Sequence, residues 1–231
     1  MQRVLCVAFG AQFAAITAEQ FISELLFGKL GVRHLVVGPD FRFGKGRHGD
    51  VALLQRSGER FGFAVSHMQP YLRDGQRVSS TLVRDALERG DLAAARRWLG
   101  HDYAIYGRVA HGDKRGRTIG FPTANIRLHR RNCCLRGVFA VVVSSAGGEV
   151  WQGVANIGTR PTVGGKEVVL EVHLLDYGGD LYGEHLSVVF QQRLRDERRF
   201  TGLAELKAQI ARDITSARGI FAGQSVSPAE I

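Results

Sequence analysis

Two stretches of this chain hold residues whose types and spacing could do chemistry. In "GRTIGFPTANI", residues 116–126, Pro122 has no N–H for a sheet ladder, so the segment belongs at a strand end or a sheet edge. Thr123 and Asn125 follow two residues apart, and in extended backbone their hydroxyl and amide point the same way. Neutral oxygens on a stiff edge suit a hard cation or a phosphate, and equally suit the finishing of a turn. In "VVLEVHLLDY", Leu170, Val172 and Leu174 share one strand face, while Glu171, His173 and Leu175 share the other. A glutamate amid apolar neighbours is either a residue of the solvent face or a general base strengthened by partial burial. His173 alone reads as structural. The glycine-interrupted basic segment "HGDKRGRTIGFPTAN" carries Lys114, Arg115 and Arg117 and reads equally as a hairpin or as a lid over ATP. It matches neither a P-loop nor a dinucleotide fingerprint.

The elements that must position these residues fall into two textures. Residues 1–100 alternate short apolar runs ("RVLCVAF", "RHLVVGPD", "GFAVSHM") with helical patterns ("AEQFISELLFGKL", "DVALLQRSGE"), which predicts a parallel α/β sheet. In the second of these groups Phe21, Leu25 and Phe27 to Leu30 fall roughly on one helical face. In "SSTLVRDALERGDLAAARRWLG", Gly90-Asp91 ends one helix and caps the next, and Gly100 stops the second. From residue 101, "YAIYGRVA", "GVFAVVVSS", "VWQGVANIG", "VVLEVHLLDY" and "HLSVVFQQRL" are strands joined by Gly-rich turns, which predicts a small antiparallel barrel or sandwich. Beyond it Leu203, Leu206, Ile210 and Ile214 mark a helical face, with Thr201 as its expected N-cap. The domain boundary is expected near Gly100.

Composition narrows the classes. The chain has 231 residues, is 45% hydrophobic, and has no apolar run near the roughly 20 residues that span a bilayer. Three cysteines (Cys6, Cys133 and Cys134) lack metal-ligand spacing, and an odd count argues against a disulfide framework. With Glu19 and Glu24 in place of a signal-peptide layout, a cytoplasmic protein without membrane contact is expected. The net charge of +9 is spread over both halves, and "RLHRRNCCLR" has no interleaved aromatics for base stacking. Anionic phosphate substrates account for the charge as well as a nucleic acid does, and no nucleic-acid partner is expected.

Four motifs in order, "GRTIGFPTAN", "GVANIGTRPTVGG", "LEVHLLDYGGDLYGE" and "LRDERRFTGLAELKAQIARDI", resemble riboflavin kinase over about residues 103–215. "GPDFRFGKGRHGD" and the helical pair after Ser79 resemble the flavin adenylyltransferase part of bacterial bifunctional riboflavin kinase/FAD synthetases. The resemblance implies an α/β plus β architecture. Residues 1–100 would form a partial, incomplete Rossmann-like nucleotidyltransferase sheet, and residues 101–231 a riboflavin kinase β-barrel with a C-terminal helix. It implies that riboflavin, Mg²⁺ and ATP are bound and FMN is released, with Glu171 as the base that takes the proton of the riboflavin 5′-hydroxyl. Pro122, Thr123 and Asn125 are implied to bind Mg-ATP, Thr123 and Asn125 on the metal side. Gly112 and Arg117 match the flap over ATP, and Leu174, Asp176 and Tyr182 the continuing nucleotide pocket. Arg195, Arg198 and Phe200 match the flavin segment; Ser79, Ser80, Thr81 and Arg84 are the adenylyltransferase remnant. Adenylyltransferases of this type carry a His-x-Gly-His motif, and none of the eight histidines here lies in one. The expectation is therefore a kinase that forms FMN and little FAD; a fully bifunctional enzyme and a flavin-binding module without turnover are the alternatives.

Overall fold

The structure, a computed structural model, describes residues 3–111, 116, 119–128, 133–162 and 165–223. The chain divides into two units, Met1–Val78 and Ser79–Ile231.

In the first unit, α1 (Ala11–Ala14) and α2 (Ala18–Gln20) precede β1 (His34–Val37), α3 (Val51–Phe61) and β2 (Ala64–His67). A small hairpin, β3 (Leu72–Arg73) and β4 (Gln76–Arg77), closes the unit. β1 and β2 pair in parallel, His34 opposite Ala64, as the alternating pattern predicts. Asp50 caps α3 by accepting from the Leu53 N–H at 2.8 Å, and Gly62 ends it at φ 79°. Leu54 and Phe63 join Ile22, Leu26, Val37 and Phe43 in a core of their own. Two expectations are corrected here. "RVLCVAF" forms no strand: residues 3–9 pair with nothing in the described unit, and Val4 and Phe9 stay 73% and 80% exposed. A strand lacking a neighbour has no place for its backbone hydrogen bonds. The helix after α2 winds from Phe21 to Lys29 as a π-helix, with the Leu30 N–H donating to the Leu25 carbonyl at 2.9 Å. The wider turn moves Ile22 and Leu26 inward and leaves Phe27 and Leu30 about half exposed, unlike the face read at 3.6 residues per turn.

The second unit begins with α4 (Ser80–Glu88) and α5 (Leu92–Leu99), joined through Gly90 at φ 70° and Asp91, which accepts from the Ala94 N–H. Ala86, Leu87 and Ala95 are buried in the same cluster as the strands that follow. The unit therefore starts at Ser79, upstream of the boundary expected near Gly100, because this helical pair packs its apolar face on the barrel. Arg193 fastens it, donating to the Arg89 carbonyl at 3.2 Å and the Arg136 carbonyl at 3.5 Å.

Six strands then close an antiparallel barrel in the order β10-β5-β6-β9-β8-β7. They are β5 (Ala104–Ala110), β6 (Ala124–Arg127), β7 (Gly137–Ser145), β8 (Val150–Thr162), β9 (Gly165–Leu174) and β10 (His185–Arg195). β6 is the short strand that starts just after Pro122, the place a residue without an N–H tolerates. Alternate residues fill the interior, among them Phe139, Phe190, Ile157 and Leu170, all at or below 1% exposed. α6 (Leu203–Ala222) lies outside, where Ala217 and Phe221 pack with Val138, Ala140, Val154 and Leu175. Its N-cap is Gly202, one residue past the expected Thr201. Glu205 instead reaches back to accept from the Thr201 N–H (3.0 Å) and hydroxyl (2.9 Å), which is one half of a capping box, displaced by one position. Among the described residues no helix is long and apolar enough to cross a membrane.

The barrel core predicts one stability result. Phe139 is fully buried and meets the Phe190 ring edge-on at 5.4 Å, so Phe139→Ala should cost about 3–5 kcal/mol in chemical denaturation of the chain.

Candidate active site

The barrel register places the candidate catalytic residues in one row. On β9, Glu171 lies opposite Asn125 of β6 on one side and Asn156 of β8 on the other. Directly opposed residues in antiparallel strands share a face, so the three polar side chains run side by side across the outer surface. Leu170, Val172 and Leu174 point inward and are buried, the alternation read from the sequence. Glu171 and His173 are half-buried. His173 holds its place through a ring nitrogen 2.8 Å from the Pro122 carbonyl and an edge contact with Phe121. This is the structural role expected of it, and it anchors the segment carrying Thr123.

Two clefts adjoin this row and share Thr123. One is lined by Pro122, Thr123, Asn125, Leu174 and Tyr182, with the glycine-rich turn at Gly178 and Gly179 as its far wall. The other contains Glu171 and Asn156 and runs toward Arg195, Arg198 and Phe200, with Leu206 and Ile210 of α6 as an apolar side. Residues drawn from distant motifs thus fall into two groups, one along each cleft. Gly116 lies against the segment that leads into β6: the Phe121 N–H donates to its carbonyl at 2.8 Å, and a side chain there would strike the Phe121 carbonyl. Gly112 and Arg117, expected to cover ATP, lie outside the described residues.

The second cleft depends on an ion pair the sequence does not announce. Arg195 donates through Nε and Nη2 to both oxygens of Asp213 at 2.8–3.0 Å, and Gln209 supplies a further hydrogen bond at 2.7 Å. Asp213 is only 4% exposed. Two register shifts in β10, at Phe190/Gln192 and Arg193/Arg195, aim Arg195 toward α6. Phe200 then lies under both guanidinium groups, 5.7 Å from Arg195 and 4.8 Å from Arg198, and Arg198 also pairs with Glu205 at 3.5 Å.

Some expected residues lie elsewhere. Asp176 does not line the first cleft: it takes the left-handed turn after β9 (φ 57°), and its carboxylate is gripped by Arg218 at 2.7 and 2.9 Å. The Arg218 hydrogen bonds hold that carboxyl below its ordinary value. Ser79, Ser80, Thr81 and Arg84 line neither cleft; the Ser79 hydroxyl caps α4 by accepting from the Leu82 N–H. Sequence reasoning missed Asn156, Glu197 and Asp213. Asn156 could have been found from strand pairing with Glu171, whereas nothing local distinguishes Asp213 from a surface residue.

Thr123 and Asn125 fit a hard cation. Among the described residues neither Thr123 Oγ1 nor Asn125 Oδ1 accepts a hydrogen bond, while the Asn125 amide nitrogen faces the Thr123 carbonyl at 3.5 Å. No group of three or more His, Cys, Asp or Glu suited to a metal occurs among the described residues. A cation here would therefore meet a small neutral donor set, the kind that Mg²⁺ completes with water and phosphate oxygens.

Two clefts meeting at one residue on a closed barrel define a class, a small β-barrel with room for two ligands side by side. The family profile for riboflavin kinase matches residues 99–221, and that for FAD synthetase matches residues 1–82. A bifunctional riboflavin kinase/FMN adenylyltransferase from Escherichia coli strain K12 is 55% identical over 218 residues, covering 94% of this chain and 70% of the relative. One from Pseudomonas fluorescens is 49% identical over 223 residues, covering 96% of this chain and 71% of the relative. A crystal structure described as a macrolide-efflux protein from Streptococcus pneumoniae superposes with a TM-score of 0.68 at 31% identity, covering 91% of this chain and 67% of that one. The chain belongs to the bifunctional riboflavin kinase/FMN adenylyltransferase family.

Two ion pairs on α6, one buried and one exposed, make opposite predictions. Asp213→Ala strands a guanidinium that is only 20% exposed, so it should cost about 3–5 kcal/mol and weaken flavin binding in a denaturation and ligand titration. Arg218→Ala breaks an exposed pair and should leave both measurements unchanged.

Proposed function

We propose that this chain is a cytoplasmic riboflavin kinase, transferring the γ-phosphate of Mg-ATP to the 5′-hydroxyl of riboflavin to give FMN. The observation that supports the reading is the position of Glu171, in the row where the two clefts adjoin, with Thr123 shared between them. Riboflavin lies in the cleft of Glu171, Arg195 and Phe200, its ring against the apolar side formed with α6. ATP lies in the cleft of Asn125, Leu174 and Tyr182, its phosphates toward Thr123.

In this arrangement Glu171 accepts the proton of the 5′-hydroxyl as that oxygen attacks phosphorus. Thr123 and Asn125 offer their oxygens to Mg²⁺, which when bound supplies charge neutralisation on the phosphate oxygens. Asn125 and Asn156, flanking Glu171 on both neighbouring strands, keep the carboxylate between the substrates. Phosphoryl transfer asks mainly for positioning, and a row set by barrel register provides it on rigid strands.

The test is incubation with riboflavin and Mg-ATP, followed by chromatographic separation of riboflavin, FMN and FAD. FMN is the expected product. Glu171→Gln should keep the fold and lose about 10²–10⁴-fold in turnover; near-normal turnover in a folded variant would remove Glu171 from its role.

Thr123→Ala should raise the Mg²⁺ and ATP requirement more than the riboflavin requirement. Rate titrations against each component decide this, and a selective loss of flavin affinity would place Thr123 on the wrong substrate.

A further inference from the structure

The flavin cleft holds a second carboxylate that the reaction as described does not use. Glu197 follows β10 in "RDERRF" and lines the same cleft as Glu171 and Asn156. Its carboxylate rests on the backbone of Gly158 in β8, where a methyl group would collide with Oε1. Asn156 and Gly158 are two residues apart on one strand, so they present the same face and stand about 7 Å apart along it. Glu197 therefore occupies the next position along the cleft from the row that carries Glu171. Among the described residues it has no hydrogen-bond partner. Arg136 and Arg195 are close enough to act on its charge, and partial burial outweighs them, raising the carboxyl above its ordinary value.

Resting on the reading that riboflavin occupies this cleft with its 5′-hydroxyl at Glu171, we propose that Glu197 is a specificity-determining residue for the flavin. It accepts hydrogen bonds from the ribityl hydroxyls nearer the ring and so selects a ring that carries a polyol chain. The geometry supports this directly. Glu171, Glu197 and the apolar residues Leu206 and Ile210 line one cleft, so a ribityl chain joining a 5′-hydroxyl at Glu171 to a ring on the apolar side has Glu197 within the same cleft. A carboxylate accepts from two hydroxyls at once, and glycine at 158 leaves room for it to lie flat against the strand.

The experiment measures binding to the full chain by quenching of flavin fluorescence, with riboflavin and with lumiflavin, which has the ring and a methyl group in place of the ribityl chain. Glu197→Ala should weaken riboflavin about tenfold, the lower end for a hydrogen bond to a charged acceptor, and leave lumiflavin unchanged. Glu197→Gln, which keeps an acceptor oxygen, should recover part of the loss. Gly158→Ala displaces the carboxylate without removing it and should reproduce the selective loss even if Glu197→Ala fails to fold. In turnover, the KM for riboflavin should rise while the KM for Mg-ATP and kcat hold. Equal weakening of both flavins, or no weakening of either, would overturn the proposal, because a merely structural carboxylate cannot distinguish them. A wild-type chain that binds riboflavin with this selectivity but makes no FMN would refute the kinase reading alone. One that makes FMN and is indifferent to Glu197→Ala would refute the inference alone.

Discussion

The Arg195–Asp213 ion pair is the interaction on which the second cleft depends. A closed barrel offers an outer face of alternating polar and small residues, and a helix laid on it encloses space only if its angle is held. Asp213 is buried and takes both nitrogens of one fork of Arg195, with Gln209 behind it. Removing either partner leaves an uncompensated charge under the helix. The same guanidinium is a wall of the cleft, so docking of α6 also shapes that cleft. Apolar burial of Ala217 and Phe221 against Val138 and Val154 supplies the non-directional part of the attachment.

Barrel closure is the second constraint, and it acts through register. Antiparallel pairing fixes which residue faces which, and a slip of one residue would turn Glu171 into the interior and Leu170 out. The burial of Leu170, Val172 and Leu174 makes such a slip expensive, so the apolar face of β9 fixes Glu171 on the outer face. Asn125 and Asn156 reach Glu171 from segments separated in sequence by 31 positions because β6 and β8 both border β9. Rigid strands then hold the row, while the variable chemistry of the clefts comes from the segments that flank them, Phe121 to Thr123 on one side and Asp196 to Phe200 on the other.

Helix signals and strand alternation were legible in the sequence because both are local. Asp50, Asp91 and Gly100 cap as their types require, and the five apolar runs after residue 101 became strands. The motifs also brought out Thr123, Asn125, Glu171 and Arg195, which the structure gathers around two adjoining clefts. Where reading by period failed, a non-local or unusual geometry had intervened. The π-helix at Phe21–Lys29 shifts the buried face away from a 3.6-residue stripe. "RVLCVAF" has strand composition but no strand beside it, and composition alone does not form a ladder. The helical pair after Ser79 reads as part of the first texture, yet its apolar face is spent on the barrel.

By itself the sequence determined the alternation of β9, the caps, the position of Pro122 outside a ladder, and the resemblance that pointed to a flavin kinase. Each follows from residue type and short-range spacing, which the backbone cannot rearrange. Only the tertiary structure decided that Asn156 stands beside Glu171, that Asp176 turns away to Arg218, and that Asp213 and Glu197 line the same cleft as Glu171. The physical reason is that these relations depend on strand pairing across a closed barrel and on a helix docked from the far end of the chain. Partners 15 to 42 positions apart meet there through geometry that no local pattern encodes.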